Sequence, residues 1–222
     1  MGYELAGRIA KTYDDVIVYD INEDAIQESV KGHSTVRAGS VAEAVAGADV
    51  VQVCLPNSKL VAGVVDEMLR RGDVDGASTS GGTSSLVGGG IFLDCTSGQM
   101  AQSQALARTL AERAAMHYVD CAVSGGPRGA QQGILTAFVG SDAEAAVAEA
   151  APLISTFAAK QVYLGVAGAG HATKAVNNML LAVNNWSVSE GMAVLKKNGV
   201  DLPAALEAIN ESSGRSWSSI QV

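Results

Sequence analysis

One lysine and two amides stand three and four residues apart in the stretch Gly168-Ala-Gly170-His-Ala-Thr-Lys174-Ala-Val-Asn177-Asn178. On a helix that spacing turns Lys174, Asn177 and Asn178 the same way, toward one small molecule. The amine exchanges a proton and the amides orient what it protonates, which is an arrangement for proton transfer. Glycine ahead of the helix lets backbone pass close to a ligand. Met179, Leu180, Val183, Trp186 and Val188 follow at once, so this helix is expected to bury much of its surface. His171, one turn before Lys174, is read as a capping or solvated histidine in preference to one that tunes the lysine, and His33 and His117 are assigned nothing.

A second chemical signal lies near the start of the chain. Val16-Ile-Val-Tyr19 reads as a buried strand ending in Asp20, and a carboxylate at such a tip hydrogen-bonds an adenosine ribose in dinucleotide folds. Asp20 follows Gly2 by 18 residues, close to the spacing between a glycine-rich turn and that acid. An aspartate repels a 2′-phosphate, and Ile21 and Asn22 stand where an arginine would suit one, so the reading favours NAD over NADP. The G-x-G-x-x-G fingerprint is absent: Met1-Gly2 supplies only its last glycine. The first strand of a doubly wound sheet is therefore expected to be missing, leaving the next strands without their shared neighbour, and the chain reads as a fragment.

The 222 residues are 48% hydrophobic and 17% charged, enough for one sizeable globular domain and part of a second. A net charge of −8 argues against nucleic acid and anionic membrane as partners and leaves an anionic substrate to be held by local donors. Cys54, Cys95 and Cys121 lie far apart in or beside apolar runs, without metal-ligand spacing; they read as core thiols of a reducing compartment, cytoplasmic or mitochondrial. No metal is expected. No apolar run reaches the length of a membrane span, and no signal peptide opens the chain.

The elements that must position these residues alternate as short apolar runs (16–19, 50–55, 91–95, 118–123, 135–139 and 161–164) and helical patterns, which predicts a βαβ series and a parallel sheet. Helices are marked by Leu5 with Ile9, by Ala25, Ile26 and Val30, by Ser40 with Glu43 as a capping box, and by Val61 to Leu69 with a stop at Gly72. Further helices are marked by Leu106 with Leu110 and by Ser141 with Glu144 as cap. Residues 73–90, rich in glycine, serine and threonine, read as a flexible surface loop; no lysine follows the glycines as a phosphate-binding loop requires. From about 171 to 198 one helical pattern runs for roughly 40 Å and closes at Gly199, and Asp201 with Pro203 starts another helix.

With these segments in hand, the chain resembles the β-hydroxyacid dehydrogenases over nearly its whole length. The resemblance is carried by Val18-Tyr-Asp20, Leu55-Pro56, Asp94-Cys-Thr-Ser97, Asp120-Cys-Ala-Val-Ser-Gly-Gly126, Gly168-Ala-Gly170 with Lys174-Ala-Val-Asn-Asn178, and Ser212-Ser-Gly-Arg-Ser-Trp217. It implies an α/β fold: a Rossmann-like doubly wound NAD-binding domain over 1–165, lacking its first strand, then a long interdomain helix and the start of an all-helical domain over 166–222. It also implies a homodimer or homotetramer. By the same resemblance Lys174 is the catalytic lysine and Asn178 the orienting amide, with Asn177 beside it. Ser124, Gly125 and Gly126 hold a substrate carboxylate, and Trp217 lines the substrate pocket. Gly2, Asp20, Leu55, Pro56, Thr96 and Ser97 contact NAD.

The reaction implied is reversible hydride transfer between NAD and a short 3-hydroxy acid such as 3-hydroxyisobutyrate, giving a semialdehyde. Reductases of glyoxylate, succinic semialdehyde or tartronate semialdehyde stay open as alternatives, as does an inactive fragment or structural subunit. The chain departs from the family pattern in having Gly98-Gln-Met where a proline is usual and in stopping at Val222, before a lysine that helps to close the cofactor site. Both ends therefore read as clipped.

Overall fold

A computed structural model describes residues 1–32, 36–75 and 90–221 of the chain. They fall into two compact units, Met1–Lys174 and Ala175–Val222. The first contains α1 (Gly2–Ile9), β1 (Val16–Val18), α2 (Glu23–Gly32), β2 (Val36–Ala38), α3 (Val41–Val45), β3 (Val50–Val53) and α4 (Ser58–Asp75). It continues through β4 (Ile91–Asp94), α5 (Met100–Ala114), β5 (His117–Ser124), α6 (Gly126–Gln132), β6 (Leu135–Gly140), α7 (Glu144–Ser155) and β7 (Ala158–Tyr163) into the first turns of α8 (Ala169–Lys197).

β3 to β7 form one sheet in sequence order. The inner strand β4 is buried on both faces because successive residues feed opposite cores, whereas in the edge strand β7 only Ala158 is buried. Ile91 and Leu93 of β4 join α1 and α7 through Leu5, Ile9, Ala150 and Ile154. Phe92, between them in sequence, joins α4 and α5 through Val61, Met68, Leu106 and Leu110. β1 and β2 pair in parallel with each other as a separate two-stranded piece.

Several expectations need correction. The series is not βαβ throughout: β5 and β6 are antiparallel, since α6 is too short a connection to carry the chain back for a parallel crossover. Strand β2 and helices α6 and α10 carry weak sequence signals and were not expected. Helix α4 passes Gly72 and runs to Asp75; the remainder of the expected loop, 76–89, lies outside the described residues, as does His33. Ser40 does cap α3, accepting from Glu43 N at 3.2 Å. Ser141 does not play that part for α7: its hydroxyl donates to Tyr118 O at 2.8 Å, tying the end of β6 to β5.

The second unit holds the rest of α8, then α9 (Leu202–Asn210) and α10 (Trp217–Gln221). Gly199, at φ +71, ends the long helix where an L side chain would be strained, and Asp201 caps α9 by accepting from Ala204 N at 2.9 Å. Beyond His171 no residue of α8 is buried. Val176, Met179, Leu180 and Val183 are more than half exposed and Trp186 is 73% exposed, so the expectation of a largely buried helix is wrong for this chain. Its apolar residues recur at helical spacing, but among the described residues nothing covers them. No described helix is long and apolar enough to cross a membrane.

The three cysteines, distant in sequence, meet across neighbouring strands: Cys54 follows β3, Cys95 follows β4, and Cys121 lies in β5, with the Cys95 and Cys121 thiols hydrogen-bonded. Cys95 and Cys121 are buried and Cys54 is half-buried, and all three are free thiols. Burial pushes the Cys54 thiol up to about 12. The bond to Cys121, then burial, holds Cys95 well above the ordinary thiol range. At pH 8 the Cys54 thiolate fraction is then about 10⁻⁴. Native protein treated with iodoacetamide at pH 8 should keep Cys54 and Cys95 unmodified over hours while urea-unfolded protein is alkylated at all three positions; rapid native labelling would contradict this packing.

Candidate active site

Because β3, β4 and β5 are parallel, their C-terminal ends lie along one edge, the side on which open α/β sheets bind ligands. Leu55 and Pro56 follow β3, Thr96 and Ser97 follow β4, and Ser124 ends β5. The edge is fastened internally. Thr96 is buried, its N–H donates to Asp94 Oδ1 at 2.9 Å, and its hydroxyl accepts from Leu55 N at 3.1 Å. The Thr96 hydroxyl therefore braces the Leu55 turn, and Ser97 is the exposed member of the pair. Gly2 opens α1 against Cys54, the residue before Leu55. Asp20 is exposed just past β1, its Oδ1 accepting from Asn22 N at 2.9 Å. An exposed carboxylate at the strand tip, with hydroxyls and backbone at the neighbouring tips, is a donor and acceptor set that fits the ribose groups of NAD.

At the end of β5 the chain turns through two left-handed glycines, Gly125 at φ +130 and Gly126 at φ +67. A side chain is strained at either, and at Gly125 a Cβ would also meet Leu135 Cδ2 at 2.8 Å. Ser124 is half-buried and both glycines are exposed, so a hydroxyl and two adjacent backbone N–H groups are presented at this turn. Such donors suit a carboxylate without adding a buried charge.

The start of α8 is tied to the same strand. Asp120 of β5 is completely buried; its Oδ2 accepts from Gly168 N at 2.6 Å, its Oδ1 from His171 N at 2.9 Å, and Gly170 N adds a third bond. These are N–H groups that the first turn of a helix leaves without an internal partner, and a carboxylate there also meets the positive end of the helix dipole. Bonds to a charged acceptor are worth about 1.5–3 kcal/mol each. Burial still pushes the Asp120 carboxyl above its usual range, against the opposing pull of His171 and the backbone N–H groups.

The glycines around this carboxylate make the approach possible. A Cβ on Gly170 would run into Phe138 O and Asp120 Oδ1, one on Gly140 into Asp120 Oδ2, and one on Gly168, at φ +86, into Met100. The Gly-Ala-Gly turn is thus explained by protein packed against protein, which corrects the reading of it as clearance for a ligand.

His171 is also not what the sequence suggested. It is 1% exposed, with Nδ1 2.7 Å from Ser103 Oγ. The same Ser103 hydroxyl also lies 3.1 Å from Gln99 O, which ties the imidazole to the first turn of α5. Nε2 is buried without a partner among the described residues. A Cβ on Gly98 would fall on the imidazole, so the Gly98 departure from the family pattern makes room for His171. Near the same serine, Ser103, Tyr118 OH donates to Asp94 Oδ2 at 2.8 Å.

Lys174 stands one turn beyond His171 on α8 and is half-buried; burial lowers the pKa of its amine. Asn177 is half-buried and Asn178 exposed, both on the continuing helix in the second unit. Trp217, at the start of α10 in that unit, is 63% exposed. The sequence reading names Asp120 only within a motif and takes His171 as capping or solvated, and foresees the bonds of neither. The available signal was a carboxylate inside the apolar run 118–123, where only a bonded partner makes it tolerable.

Residues 1–165 match the NAD binding domain of 6-phosphogluconate dehydrogenase, and residues 168–222 match the family described as NAD-binding of NADP-dependent 3-hydroxyisobutyrate dehydrogenase. The chain is 31% identical to a mitochondrial 3-hydroxyisobutyrate dehydrogenase of Drosophila melanogaster over 99% of its own length, and spans 63% of that relative. It is 32% identical to an NAD-dependent L-serine dehydrogenase of Pseudomonas aeruginosa, covering 98% of this chain and 68% of the relative. The solved Mycobacterium tuberculosis 3-hydroxyisobutyrate dehydrogenase with L-serine superposes with a TM-score of 0.86 at 27% identity, covering 98% of this chain and 69% of that one. Sequence, fold and the matched segments agree: the chain belongs to the β-hydroxyacid dehydrogenase family.

Proposed function

We propose that this protein oxidises a short 3-hydroxy acid to its semialdehyde with NAD, reversibly, and that Lys174 moves the alcohol proton. The observation that carries the reading is a half-buried amine with a lowered pKa, on a helix clamped to the strand that ends in Ser124. The nicotinamide ring, when bound, supplies the hydride acceptor. Ser124 and the N–H groups of Gly125 and Gly126 hold the substrate carboxylate, and Asn178, aided by Asn177, orients the hydroxyl. Trp217 is assigned to the lining of the substrate pocket. Gly2, Asp20, Leu55, Pro56, Thr96 and Ser97 form the cofactor edge, Thr96 acting through Leu55.

In oxidation neutral Lys174 takes the hydroxyl proton as hydride leaves the carbinol carbon; in reduction its ammonium form returns it. 3-Hydroxyisobutyrate, giving methylmalonate semialdehyde, is the preferred substrate. L-Serine is a second candidate, favoured by the names of the serine dehydrogenase relative and of the serine-containing structure. The functional division is a nucleotide domain over 1–165 and a helical part from 166. The free thiols support a reducing compartment. The exposed apolar residues of α8, Val176, Met179, Leu180, Val183 and Trp186, support a homodimer or homotetramer, because a patch of this kind is normally covered.

Lys174→Ala should lower kcat for 3-hydroxyisobutyrate oxidation by about 10²- to 10⁴-fold while NADH still binds in a fluorescence titration; near-normal turnover would remove the amine from the mechanism. With the ammonium form disfavoured by burial, kcat for oxidation should rise with pH and level off below the ordinary lysine range, and kcat for reduction should fall over the same window. An oxidation profile flat from pH 6 to 10 in wild type would contradict this assignment. Light scattering should give a multiple of the 22.6 kDa chain mass for wild type and a smaller particle for Leu180→Glu; a wild-type monomer would rule out self-association through α8.

A further inference from the structure

We propose that Asp120 and His171 are positioning residues for Lys174, setting the axial height and rotation of α8 and so the place its amine reaches. The two act at adjacent points on the helix. Asp120 grips the N–H groups of Gly168, Gly170 and His171, which fixes the first turn along its axis. The His171 side chain is locked against rotation by Ser103 Oγ at 2.7 Å and by the space that Gly98 leaves for the imidazole. Lys174 follows His171 by three residues, about 4.5 Å up the axis and on the same side of the helix. Any slip at the first turn is therefore passed to the amine undiminished.

Both anchors refer the helix to fixed parts of the sheet layer. Asp120 and Ser124 lie four residues apart on β5, hence on one face and about 13 Å apart along the strand. β5 is hydrogen-bonded on both sides, to β4 and to β6. The turn assigned to the substrate carboxylate and the amine assigned to the proton are thereby measured from one strand. Neither Asp120 nor His171 touches substrate or cofactor in this account. The proposal rests on Lys174 being the proton-transfer group, and misplacement of such a group by an ångström costs up to about 100-fold in rate.

The test uses the full chain with Asp120→Asn, Ser103→Ala, His171→Ala and His171→Asn. Asp120→Asn turns one acceptor into a donor facing an N–H group, Ser103→Ala deletes a single buried hydroxyl, and His171→Asn keeps a hydrogen-bonding group near the place of Nδ1. Two readouts are taken: the pH midpoint for acetylation of Lys174 by acetic anhydride, without cofactor or substrate, and kcat with KM for NAD. Asp120→Asn and His171→Ala should move the Lys174 midpoint up toward that of an exposed lysine and lower kcat by about 10- to 100-fold, with KM for NAD within about twofold. Ser103→Ala should do the same to a smaller extent, and His171→Asn should restore most of what His171→Ala loses. If Asp120→Asn does not fold, Ser103→Ala decides. Folded variants with an unchanged Lys174 midpoint and unchanged kcat overturn the proposal. The acetylation midpoint needs no turnover, so an active Lys174→Ala, which would sink the proposed reaction, leaves the positioning result separately readable.

Discussion

The interaction on which the rest depends is the bonding of one buried carboxylate to the first turn of a helix. Asp120 sits in the middle of a strand whose neighbours on the core side are Val119 and Cys121, a position at which an ion without partners would be costly. Its cost is offset by N–H groups that α8 cannot satisfy from within. Each side thus supplies what the other lacks, and the bond forms only at one height of the helix against the sheet. Two glycines, at 140 and 170, are required for it because a side chain at either would run into the carboxylate, and a third, Gly168, is required by its left-handed backbone and by Met100 packed against it.

From that constraint the functional geometry follows in order. β5 is central in its sheet, it carries Asp120, and four residues later it delivers Ser124 to the ligand edge. Beside it, β4 delivers Thr96 and Ser97, and β3 delivers Leu55 and Pro56, with the Thr96 hydroxyl holding the Leu55 turn in place. The cofactor edge and the lysine helix are thus both referred to neighbouring strands of one doubly covered sheet. The negative net charge poses no obstacle to an anionic substrate, since the donors at the Ser124 turn are local and Lys174 adds a positive charge in its ammonium form.

Much of this was legible in the chain. The alternation of apolar runs with helical patterns located six of the seven strands among the described residues; β2, only three residues long, lies below what periodicity detects. Lys174 and the strand-tip residues are proposed from motifs, which record chemistry at fixed spacing. Partners distant in sequence were not legible. Nothing local links Asp120 to Gly168, or Ser103 to His171, 48 and 68 residues apart, and so a buried histidine was taken for a solvated one. The Gly-Ala-Gly turn was recognised as a close approach, but what approaches is a carboxylate of the same chain. The breadth of apolar residues on α8 suggested burial, which the chain by itself does not provide, since periodicity reports what a helix face needs and not what covers it.

The most direct measurement is hydrogen exchange of the individual amides at the start of α8. The first N–H groups of a helix ordinarily exchange fast because they have no internal acceptor. With Asp120 bound to them, Gly168, Gly170 and His171 should be protected to the level of the β5 core amides. Exchange at these three positions as fast as in an unstructured peptide would contradict the account at its base, because the helix that carries Lys174 would then have no fixed height against the sheet.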